Sequence, residues 1–117
     1  MSDIYHQLAI LLLDVEKDLR NLALWEQQPP TPEALASTQP FAVDTLSFNQ
    51  WLQFIFLPRM TQLVEAAGSL PQTCGIAPMG EQFISGRLQE NSPYQERLIR
   101  HLMAIDQLIE DQSIESP

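Results

Sequence analysis

Phe41 to Met60 reads FAVDTLSFNQWLQFIFLPRM, and the fold turns on it. Five of the chain's nine aromatic residues, Phe41, Phe48, Trp51, Phe54 and Phe56, fall inside this run, and no charge stands between Asp44 and Arg59. Ser47-Phe48-Asn49-Gln50 has the form of a capping box, in which a Ser hydroxyl takes a free N–H and the Gln side chain reaches back to the Ser N–H. A helix is therefore expected from Phe48. At 100° per residue Phe48, Leu52, Ile55 and Phe56 share one side, Trp51 and Phe54 widen it, and Asn49, Gln50 and Gln53 make a narrow polar wedge. A helix apolar over most of its circumference is a central one, with Trp51 buried in it. Pro58 removes one hydrogen bond and crowds the Phe54 carbonyl, which predicts a kink, with helix resuming through Ala67 and stopping at Gly68.

Composition sets the outer limits. At 117 residues the chain is one domain, residues 1–117, large enough to bury a core. Its net charge is −9, and residues 1–26, 27–92 and 93–117 each carry five acids and two bases. An evenly negative field repels phosphate backbones and disfavours direct nucleic-acid binding, so a basic protein partner is the better expectation. Cys74 is a lone cysteine, and Asp3 sits where a signal peptide carries basic residues. The chain reads as cytoplasmic, with no membrane segment.

Outside the central run the signals are helical. Ile4, Leu8, Leu11, Val15, Leu19 and Leu22 recur at helical spacing, predicting a first helix from Ile4 to Trp25 that is capped by Ser2 or Asp3 and ended by Pro29 and Pro30. Ile10, Leu13 and Leu24 lie off that stripe, as a second packed side or as an exposed strip for a partner. Thr31-Pro32-Glu33 starts a short helix to Ser37, which Pro40 closes. Asp44 is placed to cap the following turn. Ser69 to Met79 is an apolar loop, either packed on the core or forming a pocket wall, and Glu81 to Leu88 adds two helical turns. Ser92-Pro93-Tyr94-Gln95 opens the last helix, with Tyr94, Leu98, Leu102, Ile105 and Ile109 as its stripe and a frayed tail at 112–117.

Chemical signatures are sparse. There is no glycine-rich phosphate cradle, no paired-cysteine spacing and no helical pair of histidines, so no cofactor, metal site or catalytic residue is assigned. His101 is expected as an interfacial histidine at the edge of its stripe, and Cys74 as a small hydrophobe. The candidate binding residues are Asp44, Trp51, Gln53, Arg59, Met79 and Glu81, gathered between the central helix and the Cys74 to Met79 loop. Arg59 has the structural alternative of reaching a freed carbonyl, Asp44 or Glu81. On the last helix Asp106, Glu110, Asp111 and Glu115 follow Arg97 and Arg100, an order that opposes the helix dipole. A frayed tail accounts for that order, and so does a docking surface for a basic partner.

Two runs carry a family likeness. Pro40 to Met60 and CGIAPMGEQF (Cys74 to Phe83), followed by a closing helix with AIDQLI (Ala104 to Ile109), resemble the YqcC-like family of small all-helical bacterial proteins without an assigned activity. The resemblance implies a helical bundle, no catalytic residues and, through the family's usual gene neighbour, a connection with a tRNA pseudouridine synthase. The resulting expectation is an all-α bundle of three main helices plus one or two short ones, with the central helix kinked at Pro58. Its expected role is a non-catalytic accessory protein with an RNA-modifying enzyme as partner. A small-molecule or peptide binder with a pocket between the Trp51 helix and the Cys74 to Met79 loop is the alternative.

Overall fold

A computed structural model describes residues 4–71, 74–87 and 93–115. The fold is all-α, with no strand among the described residues. Helix α1 spans Ile4–Asn21, α2 Pro32–Leu35, a 3₁₀ turn Pro40–Ala42, α3 Phe48–Trp51, a π-helical stretch Leu52–Phe56, α4 Leu57–Glu65, α5 Ile76–Arg87 and α6 Pro93–Glu115. Ser2, Asp3 and Ser92, expected as caps, lie outside the described residues.

The central run starts where its local chemistry predicts. Ser47 precedes the helix in extended conformation, and Gln50 Oε1 accepts the Ser47 N–H at 2.9 Å. Helical winding then continues from Phe48 to Glu65 without a loop at Pro58. The accommodation of Pro58 lies in the preceding turn: Leu52–Phe56 is wound as π-helix, and the Leu57 N–H reaches back five residues to the Leu52 carbonyl. Pro58 itself falls in the first turn of α4, where a missing N–H is cheapest.

Both helix ends that the sequence places at Pro or Gly are set by alanines. After α1 the Leu24 N–H bonds the Leu19 carbonyl at 2.8 Å and Ala23 adopts φ +59°. After α4 the Gly68 N–H bonds the Leu63 carbonyl at 2.9 Å and Ala67 adopts φ +49°. Each pattern is a Schellman stop, which needs one left-handed residue just past the helix. Helix α1 therefore ends at Asn21 rather than Trp25, well before the prolines. Tyr5 ties the two helices together by donating its hydroxyl to the Gly68 carbonyl at 2.6 Å.

The most extensive helix pairing is between α1 and α6, not around the central helix as its apolar circumference suggests. Leu8, Leu12, Val15 and Leu19 of α1 meet Leu98, Leu102, Ile105 and Ile109 of α6, all buried. Phe48, Leu52, Phe56, Leu57 and Met60 close the core from the central run, with Ile76 and Ala77 from α5. Ile10 and Leu13 remain 47% and 62% exposed, so α1 is packed on one side and carries an apolar strip on the other.

Helix α5 is longer than the two turns expected, since Ile76 to Met79 is helix instead of loop. Gly80 lets it approach α6 closely: a Cβ there would lie 2.6 Å from Leu102 Cδ1. Helix α6 runs to Glu115, so Gln112 to Glu115 continue the helix instead of fraying. Replacing Ala67, which is exposed, by Gly should raise the free energy of unfolding by about 0.5–1 kcal/mol, because Gly carries no steric penalty at positive φ. An unchanged or lower urea midpoint for Ala67→Gly would show that the left-handed turn costs nothing.

Candidate functional site

The six residues expected to form a binding site are dispersed. Gln53 is buried and committed to the chain just past α1, where its Oε1 accepts the Glu26 N–H at 2.8 Å and its Nε2 donates to the Glu26 carbonyl at 2.7 Å. Asn49 Nδ2 donates to the Leu24 carbonyl at 2.9 Å, and Gln50 Nε2 to Glu26 Oε1 at 3.1 Å. The polar wedge of the central helix is thus an internal clamp. Trp51 is half-buried, not buried, and sits among Phe41, Phe48 and Phe56 with ring centroids 4.8, 6.0 and 5.3 Å away. Asp44 accepts a hydrogen bond from the Ser37 hydroxyl at 2.5 Å instead of capping a backbone turn. Arg59 and Glu81 are exposed, and Arg59 pairs with neither Asp44 nor Glu81.

The proposed acidic docking face on α6 also divides. Asp106 is turned inward and half-buried, and its two oxygens accept the N–H groups of Ile76 and Ala77 at 3.0 and 2.9 Å. It caps α5 from another helix, satisfying two of the free donors at a helix start with a negative charge where the dipole favours one. The neighbouring Cys74 thiol is pushed up to about 12 by burial and by the Asp106 carboxylate, so at neutral pH it stays protonated and inert. Glu110 and Asp111 are exposed, with Asp111 accepting from Gln107 Nε2 at 2.7 Å, and the side chain of Glu115 lies outside the described residues.

A polar cleft that the sequence did not reveal lies where the C-terminal half of α1 meets the N-terminal half of α6. It has a volume of about 380 Å³ and is lined by Asp14, Lys17, Asp18, Asn21, Arg97, Arg100 and His101. His101 Nδ1 is 2.5 Å from Asp18 Oδ2, and its Nε2 is 3.7 Å from Asp14 Oδ2. Burial raises the Asp18 pKa above its ordinary value, while the hydrogen bond and charge of His101 work in the opposite direction. His101 is the interfacial histidine expected, satisfied at Nδ1 by Asp18. Its partners, 83 positions away in the case of Asp18, are beyond the reach of any local pattern.

Two apolar grooves complete the surface. One, of about 300 Å³, is lined by Phe41, Val43, Leu46, Phe48, Met79, Gln82 and Phe83, with Phe41 and Ala42 both at positive φ. The other, of about 240 Å³, runs between α1 and α4, where Leu12, Leu13, Leu57 and Val64 meet Glu16 and Glu65 at the rim. Among the described residues no His, Cys, Asp and Glu cluster could hold a metal ion, and no helix is long and apolar enough to cross a membrane.

Comparison with known proteins places these features in context. A family profile described as DUF446, tRNA pseudouridine synthase C, matches residues 7–108. An uncharacterized protein of Haemophilus influenzae is 37% identical over 90 residues, covering 77% of this chain and 80% of that protein. The protein named tRNA pseudouridine synthase C of Pectobacterium carotovorum is 44% identical over 62 residues, which are 53% of this chain but only 16% of that one. YqcC of Escherichia coli is 30% identical over 107 residues, 92% of this chain and 94% of YqcC. Its solution NMR structure superposes with a TM-score of 0.76, covering 94% of this chain and 91% of that one.

Two substitutions test the internal carboxylates. Asp106→Ala should cost about 1–3 kcal/mol, because it leaves the Ile76 and Ala77 N–H groups without their acceptor; a cost within error of zero would mean that solvent supplies the cap. Asp18 has a folded-state pKa above the 3.8 of the unfolded chain, so its share of stability is full below 3.8 and is lost as pH rises through the folded value. Asp18→Asn keeps an oxygen for His101 but cannot titrate. The variant should therefore gain on the native sequence in unfolding free energy as pH rises across that window, and a pH-independent difference would overturn the assignment to burial.

Proposed function

The chain belongs to the YqcC-like family, DUF446, and on that footing we propose that it is a non-catalytic accessory protein of a tRNA pseudouridine synthase. The observation that carries the reading is the Pectobacterium protein. There a segment similar to this chain accounts for 16% of a much longer polypeptide, and that polypeptide is named tRNA pseudouridine synthase C. Two units made as one chain are held at high effective concentration, so even a weak contact between them is occupied. A separate protein of this family would have to make the same contact by docking.

The surface suited to that contact is the groove between α1 and α4. Leu13 stands 62% exposed beside it, Ile10 extends the strip, and Glu16 and Glu65 supply an acidic rim. An apolar centre with a charged edge is the usual anatomy of a docking site, and the acidic rim favours a basic partner. A second reading is favoured by the backbone of the aromatic groove. Phe41 and Ala42 hold left-handed conformations at φ +57° and +49°, strain of the kind concentrated at ligand sites, in a concave apolar setting that suits a small molecule or peptide.

Co-expression of the chain with a tRNA pseudouridine synthase C from the same organism should give a complex that survives size exclusion. Leu13→Arg should abolish it without lowering the unfolding midpoint, since the side chain is already exposed. Failure of the native pair to associate at micromolar concentration would sink the accessory reading. A thermal shift with a metabolite or peptide set, removed by Val43→Asp, would then move the assignment to the aromatic groove.

A further inference from the structure

We propose that the cleft between α1 and α6 is a binding site for a single phosphate group, held by Lys17, Arg97, Arg100 and His101. The sequence has only six Lys and Arg residues against 15 carboxylates, and three of the six line this one cleft. They come from two helices, Lys17 from α1 and Arg97 and Arg100 from α6. None of the three has an ion pair, whereas Arg20, one turn along from Lys17, is bonded to Glu16 at 3.0 Å. Lys17, Arg97 and Arg100 outnumber the two carboxylates that line the same cleft, a local excess of positive charge in a chain of net charge −9, and the cleft is open enough to admit an anion.

The two carboxylates in the cleft offset part of that charge, and while burial raises the Asp18 pKa, the Arg97 charge acts to lower it. Asp18 is only 3% exposed and spends its Oδ2 on His101 Nδ1, which fixes the ring. Asp14 stands 3.7 Å from Nε2, beyond a normal hydrogen bond, so the Nε2 edge remains open to an oxygen acceptor in the cleft. Phosphate oxygens match this arrangement: two guanidinium groups offer planar N–H forks, Lys17 a point charge, and a fixed imidazole one further donor. The surrounding negative field limits the ligand's size. Beyond about one Debye length, ~8 Å at physiological salt, a polyanion meets net acidic surface, so a single phosphate is recognised and an extended backbone is not. The phosphate is therefore inorganic phosphate or that of a small phosphomonoester. The site is separate from the α1–α4 groove and does not depend on the accessory reading.

The test is titration of the full chain with inorganic phosphate and with uridine 5′-monophosphate at low salt, followed by amide and imidazole NMR. Saturable shifts should centre on His101, Arg97 and Arg100 and weaken about tenfold or more in an Arg97→Gln/Arg100→Gln double variant. Both arginines are exposed, so the variant's native spectrum elsewhere shows that it folds, and Arg59→Gln, at an exposed residue outside the cleft lining, should bind as the native chain does. Competition by the monophosphate and none by a short RNA lacking terminal phosphates is the result expected, and equal competition by that RNA overturns the restriction to a single phosphate group. No saturable shift, or equal affinity in the double variant, overturns the proposal.

Discussion

Gln53 bonds both the N–H and the carbonyl of Glu26, so one carboxamide is matched to a peptide unit as a neighbouring strand would match it. Asn49 and Gln50 add bonds to Leu24 and Glu26 on either side. The clamp supplies the polar attachment of the chain leaving α1 to the central run, because Leu22 to Glu26 is neither helix nor strand, and Leu22, Leu24 and Trp25 add apolar contact with the core. Each bond is worth about 0.5–1.5 kcal/mol net, but Asn49 and Gln53 are buried, and an unmatched partner would cost about 1–3 kcal/mol. The arrangement is therefore strongly directional. It sets where α1 sits, and α1 in turn carries half of the pairing with α6 and one wall of each of two clefts.

The carboxylates divide between surface and interior in a way that total charge conceals. Asp106 is stabilised by two backbone donors at the start of α5, while Asp18 is penalised by burial and partly compensated by His101. The same side chain thus does opposite electrostatic work on adjacent faces of the bundle. Asp106 is committed to α5, and in the α1–α6 cleft Lys17, Arg97 and Arg100 outnumber Asp14 and Asp18.

Much of the architecture was legible because it rests on local rules. The stripes of α1 and α6, the start at Phe48 and the Thr31 cap, which receives the Ala34 N–H at 3.2 Å, all depend on neighbours within about one turn. The rest was hidden for physical reasons. Periodicity puts Asn49 and Gln53 on a polar wedge but cannot see the carbonyls of a loop 25 or more residues earlier that make the wedge internal. Helix α5 looked like loop because Pro78 and Gly80 are poor helix formers, and the carboxylate that caps it is 30 residues downstream. The stops at Ala23 and Ala67 escaped because a left-handed alanine has no distinctive signature. The candidate site is the least legible part, since the helical winding of Ile76 to Met79 separates residues that a loop would bring together, and the cation cleft joins the two ends of the chain.

The carboxamide clamp also ties folding to chemical lifetime. Hydrolytic loss of ammonia from Asn49 or Gln53 would exchange an N–H₂ donor for a carboxylate oxygen without changing the side chain's shape. The Leu24 or Glu26 carbonyl, now 2.9 or 2.7 Å from a donor, would then face a buried negative charge at the same distance. Ageing at either position converts a fastening into a repulsion at the joint on which α1 depends, so the molecule's covalent history is written directly into its conformational stability.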